Sequence, residues 1–229
     1  MSGKEQGKPP KKEAKPTKGA LARAGILEAT KELVALKGPH ATTVRDVTEA
    51  TGANVASVRY YFGSKEDLIR AAAEEITGAV NDARLDQLRA AETAAAGRAI
   101  PAEAILRALI EPIKAVSRAN DGGSLYLRMI YQMRITPQDP LAMSNFHKHD
   151  HVAQAFLRAM ATTFPALDRE QLIWRYEFAR GAAIHLLSDV DPKVQRIQLL
   201  AGDTAVQTTL SDQVIDTVIG LIMGGFTRP

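Results

Sequence analysis

Cysteine is absent from the 229-residue chain, which excludes disulfides and thiolate metal sites. Long apolar runs are absent as well. No stretch without a charged residue exceeds Thr217–Thr227, well short of the ~20 residues that a membrane-crossing helix needs. The Lys-rich N-terminus lacks the apolar centre of a signal peptide, so the expected location is cytoplasmic and no membrane partner is expected. Missing too are a nucleophile elbow, a phosphate-binding loop, an HExxH helix and a convergent carboxylate pair. Each is a common signature of enzyme chemistry, so neither catalytic residues nor a cofactor are expected.

What is present supports a folded helical protein. Hydrophobic residues make up 45% and charged residues 24%, enough for a real core within an ordinary globular composition. The net charge of +3 is unevenly spread, because the first 18 residues hold six Lys against two Glu. The remainder is therefore close to neutral. Residues 1–19 contain Pro9, Pro10 and Pro16 and no large apolar residue beyond Met1. Such a segment buries too little to offset its ordering entropy. It reads as a disordered basic tail, either a phosphate-screening arm or a solubilising extension.

From Ala20 onward the period is helical, with no convincing strand run and no internal repeat. Leu21, Ala24, Ile26, Leu27, Leu33, Val34 and Leu36 recur on a helix that Gly38-Pro39 should stop. Thr43 with Asp46 forms a capping box for a second helix broken at Gly52, and Asn54 caps a third, Val55–Phe62. Ser64 with Asp67 opens a fourth, reaching about Ala90. Further helices are expected after Pro101 (with a kink at Pro112), over Ser124–Ile135, from Asp139-Pro140 to Met160 or Thr163, over Arg169–Asp189 behind an Asp168/Gln171 capping box, and from Ser211 to about Met223. The 190–210 span is too long for a plain loop, and a short helix at Pro192–Leu200 fits it.

The segment Thr43–Lys65 is helix, glycine-containing turn, helix. Val58 and Phe62 face inward, while Val55, Ala56, Ser57, Arg59, Tyr60 and Tyr61 are left for a major groove. Arg59 is suited to bidentate pairing with guanine O6 and N7. Thr43, Val44, Arg45, Asn54, Tyr61 and Lys65 complete the candidate DNA-binding set. One of Tyr60 and Tyr61 is also a candidate for packing on the first helix.

The motif Val58-Arg-Tyr-Tyr-Phe62 followed by Ser64-Lys65-Glu66-Asp67-Leu68, with Thr43–Val47 and Gly52 before it, resembles the TetR family of transcriptional regulators over about Ala20–Ala73. The resemblance implies an all-α fold. It divides the chain into the tail 1–19, a three-helix helix-turn-helix head at 20–64, and a larger helical ligand-binding and dimerisation body at 65–229. It also implies a homodimer on a palindromic double-stranded operator, released by a small effector, and phosphate contacts from Tyr61 and Lys65.

In the body, Tyr126, Met129, Ile130 and Met133, with Phe146 and Phe178, are candidate walls of a largely apolar effector pocket, and an ordinary core would look the same. Arg128 and Arg134 are candidates for an anion at its mouth. The family pairs its last two helices between subunits, which makes Leu172, Tyr176, Ala179, Ala183, Val214, Ile215, Val218, Ile219 and Ile222 the candidate dimer interface. His147 and His151 share a helical face near Asp150 and motivate an alternative, metal-responsive reading, with an enzyme carrying a vestigial head as a more distant one. No metal site is assigned.

Overall fold

A computed structural model describes residues 17–116, 118–135, 148–207 and 209–227. Among them are ten α-helices and no strand: α1 Lys18–Ala41, α2 Val44–Thr51, α3 Val55–Phe62, α4 Lys65–Ala95, α5 Ala102–Val116, α6 Leu125–Ile135, α7 Asp150–Thr163, α8 Arg169–Ser188, α9 Arg196–Ala201 and α10 Asp212–Phe226. The fold is all-α, with a small N-terminal head and a larger helical body.

The helix boundaries follow local chemistry. Thr43 accepts from the Asp46 amide while Asp46 accepts from the Thr43 amide, completing the capping box of α2. Asn54, Ser64 and Ser211 cap α3, α4 and α10, and Asp168 with Gln171 does the same for α8. Gly52 closes α2 at φ 69°, a left-handed conformation that costs a residue with a Cβ atom and glycine little. The first helical track is interrupted at Gly38 (φ 85°), where the sequence places its stop. The tail is shorter than the sequence implies at its end, since Thr17 caps α1 and the helix already includes Lys18. Residues 1–16 lie outside the described residues. Helix α4 outruns its expected end by one turn and more, and the short helix after Pro192 forms at Arg196–Ala201.

Two apolar clusters organise the chain. The head cluster is small: Ile26 and Leu27 of α1, Val47, Val58, and Leu68 and Ala72 of α4. The second gathers residues from α1, α4–α8 and α10, with Phe156, Leu106, Ile110 and Leu187 fully buried. Helix α4 contributes to both, giving Leu68 and Ala72 to the head, and Ile69 and the residues from Ala73 onward to the body. Helices α8 and α10 pack on each other, and α10 also lies on α5.

Candidate functional site

Two places gather the chemistry, one on the head and one inside the body. On the head, Val58 is buried and fixes the roll of α3. That roll turns Val55, Ala56, Arg59 and Tyr60 to solvent and leaves Ser57 half-exposed. Tyr60 is 83% exposed. The Arg59 side chain makes no hydrogen bond or ion pair among the described residues. Thr43 and Arg45 are exposed beside it, with Arg45 reaching Glu49 at 2.8 Å, a surface pair that yields readily to a stronger anion.

Four residues expected to face DNA also hold the head together. Val44 and Tyr61 are half-buried against the head cluster, and the Tyr61 ring meets Tyr60 edge-on at 5.1 Å. Tyr61, rather than Tyr60, is therefore the tyrosine that packs. Asn54 Oδ1 accepts from the Ser57 amide at 2.7 Å. Lys65 Nζ donates to the His40 carbonyl at 3.1 Å, tying the start of α4 to the end of α1. Asp46 is held ionised, its pKa drawn down to about 2 by Lys37 first and the Thr43 cap second.

In the body, α4, α6, α7 and α8 line an open-sided cavity of about 150 Å³. Thr77, Asn81 and Arg84 come from α4, Tyr126 and Ile130 from α6, Asp150, Val152 and Ala153 from α7 with His149 just before it, and Tyr176, Glu177 and Arg180 from α8. Arg84 is only 3% exposed. Its Nε donates to the Leu109 carbonyl at 2.8 Å, and its Nη1 donates to Asn81 Oδ1 at 3.0 Å and the Tyr126 hydroxyl at 2.9 Å. Arg180 is paired with Glu177. His149 Nε2 lies 3.2 Å from the Thr77 hydroxyl oxygen. Burial first, then the neighbouring His151 and Lys148, lowers the His149 pKa. Burial raises that of Tyr176, so the phenol stays neutral.

Of the expected pocket residues, Tyr126 and Ile130 line this cavity. Met129 and Met133 are buried core that does not reach it, and Phe178 is half-exposed on another face, 3.0 Å from where a side chain on Gly225 would begin. Phe146 and His147 lie outside the described residues. His151 Nδ1 lies 3.1 Å from the Lys148 carbonyl, and no cluster of three metal-ligating side chains exists among the described residues. The arginines at the cavity are Arg84 and Arg180, not Arg128, which is locked to Asp191 at 2.7 Å and Asp121 at 3.0 Å. Arg134 is exposed. A signal for Arg84 did exist: Thr77, Asn81 and Arg84 interrupt the apolar face of α4 at helical spacing.

The interface assignment needs correction. Leu172, Tyr176, Ala179, Ala183, Ile215, Val218, Ile219 and Ile222 are all buried within one protomer, and Val214 is half-buried against the same core. Helices α8 and α10 each need an apolar face merely to pack on their own body, and the strongest hydrophobic period marks that face. Their outward side carries Trp174, Phe178 and Leu221, with Trp174 68% and Leu221 66% exposed.

With this geometry in view, comparison with known proteins is decisive. Residues 26–72 match the family of bacterial regulatory proteins known as tetR, and residues 107–225, just over half of the chain, match the tetracyclin repressor-like C-terminal domain. The chain belongs to the TetR family. A curated TetR-like relative, the HTH-type transcriptional dual regulator CecR of Shigella flexneri, is 34% identical over 105 residues. That alignment covers 44% of this chain and 47% of CecR, so the chain spans about half the length of this relative. The ketosteroid transcriptional regulator KstR2 of Mycobacterium tuberculosis shares the fold, with a TM-score of 0.61, 17% identity and coverage of 90% of this chain and 95% of that one. A TetR/AcrR-family regulator from Thermobifida fusca gives 0.53, 22%, 90% and 98%. No helix among the described residues is long and apolar enough to cross a membrane.

Proposed function

We propose that this TetR-family regulator is a homodimeric, ligand-released repressor. It lays α3 of each protomer in successive major grooves of a palindromic operator. The observation that carries the reading is the exposed pair Arg59 and Tyr60 on a helix whose roll is fixed by Val58. Thr43 and Arg45 take the flanking phosphates, and the small Ala56 permits close approach to base edges. The domain roles follow: 20–64 reads DNA, and 65–229 dimerises and holds the effector. The outward stripe of Trp174, Phe178 and Leu221, flanked by Gly220 and Gly224, is the self-complementary face. The cavity between α4 and α8 is the effector site, and its occupation shifts the spacing of the two heads.

A gel-shift titration on the protein's own promoter fragment, across a salt series, tests this. Arg59→Ala and Tyr60→Ala should each weaken binding by about 1–3 kcal/mol, about fivefold to a hundredfold, with unchanged melting temperature. Wild-type affinity in both variants would overturn the assignment of the head. Tyr61→Ala is the wrong probe, because it opens the head cluster as well.

A further inference from the structure

The cavity of the body contains a charge with no counter-charge. Arg84 is 3% exposed, and all three of its hydrogen bonds end on neutral acceptors: the Leu109 carbonyl, the Asn81 amide oxygen and the Tyr126 hydroxyl. It forms no salt bridge, and its Nη2 makes no hydrogen bond, among the described residues. A buried guanidinium without a carboxylate is costly, and Arg84 lies on the cavity wall. The other charges there do not answer it. Glu177 is taken by Arg180, and Asp150 is exposed at the rim, where water screens it.

We propose that the effector is a small monocarboxylate whose carboxyl group pairs with Arg84, with a single ring or short apolar chain as its body. This deepens the effector-site reading above and rests on it. The volume sets the size. The volume is about 150 Å³, the size that a benzene-sized molecule fills, on a wall that is polar on one side and open to solvent. Ile130, Val152 and Ala153 supply the apolar wall, and the Tyr126 ring already lies under the Arg84 guanidinium at 5.1 Å. A carboxylate fits better than a phosphate ester. One unpaired guanidinium balances one negative charge and leaves nothing to balance a second.

The test is direct binding by the full-length protein, read by calorimetry without DNA. The probes are benzoate, 4-hydroxybenzoate and hexanoate, each beside its own amide. At least one carboxylate should bind about tenfold or more tightly than its amide, and Arg84→Gln should erase that ratio. Binding by no carboxylate up to about 10 mM, equal binding of acid and amide, or an unchanged ratio in Arg84→Gln would overturn the proposal. Arg84 also ties α4 to the Leu109 carbonyl, so Glu177→Gln provides a second variant that leaves that tie intact. Removing the Glu177 carboxylate frees Arg180 and should raise the acid-to-amide ratio, and an unchanged ratio counts against the proposal. A separate gel shift with the tightest carboxylate tests the effector reading: tight binding without operator release would leave the carboxylate site standing and remove its role as a switch.

Discussion

The head and the body of this chain are stabilised in different ways. The head buries six residues in its cluster and relies on caps at Thr43 and Asn54 to satisfy the ends of its two eight-residue helices. The body buries many more and tolerates polar groups inside itself, including a charged one. A surface that must accept DNA leaves few residues for packing, so end effects and single side chains carry much of its stability. A large core has enough apolar contact to absorb the cost of a polar cavity.

That contrast is broken most directly by core truncation. Leu68→Ala removes a fully buried member of the head cluster and should cost about 2–5 kcal/mol. It should abolish operator binding while the body keeps its own thermal transition. Phe156→Ala, with a nominal cost of about 3–5 kcal/mol, should instead lower that body transition. Both variants are read by calorimetry and near-ultraviolet dichroism, and equal loss of both transitions in Leu68→Ala would mean one cooperative unit.

Next in size is the outward face of α8. Trp174→Arg should cost about 2 kcal/mol or more in association, giving a monomer by sedimentation with an unchanged fold. A smaller effect is expected from the cap of the reading helix. Asn54→Ala loses the bond to the Ser57 amide and should destabilise the head by about 1 kcal/mol, visible in hydrogen exchange of α3 but not of α8.

The smallest effects are those of pH, and they separate the two regions by range. In the body, the pKa of His149 lies below its ordinary 6.5, so the unfolded chain binds the extra proton first. Its contribution is full above pH 6.5 and declines as pH falls through the lower folded value. Glu74 and Asp82 moderate the shift, while Lys148 and His151 reinforce it. In the head, Asp46 contributes fully above its ordinary 3.8, and that contribution is lost as pH falls toward about 2. Denaturant midpoints across pH should show His149→Gln flattening the upper range and Asp46→Asn the lower.

The head was largely legible in the sequence because its determinants are local. A cap and its partner lie three residues apart, Gly52 stands where the backbone must turn left-handed, and the Val58–Leu68 motif is contiguous. The body was legible as helices but not as a site. Hydrophobic period locates the face of α8 and α10 that is most apolar, and that face is the protomer's own core. The exposed Trp174, Phe178 and Leu221 are too few for such a period. Arg84 and Arg180 come to one cavity only after α4 and α8 have each packed on α6, and no spacing in the chain records that. Even so, Thr77, Asn81 and Arg84 sit one turn apart on an otherwise greasy stripe, and that irregularity was readable.

Helix α4 runs without interruption from Lys65, beside the head, past Arg84 at the cavity. The distance between these two residues along a straight helix is ~28 Å. Pivoting that rod by about 5° at the cavity end displaces the other end by ~2.5 Å, about three-quarters of the ~3.4 Å separating neighbouring base pairs. On the effector site proposed above, a molecule no larger than a single ring that turned the rod through such an angle would carry each reading helix most of one rung along the double helix.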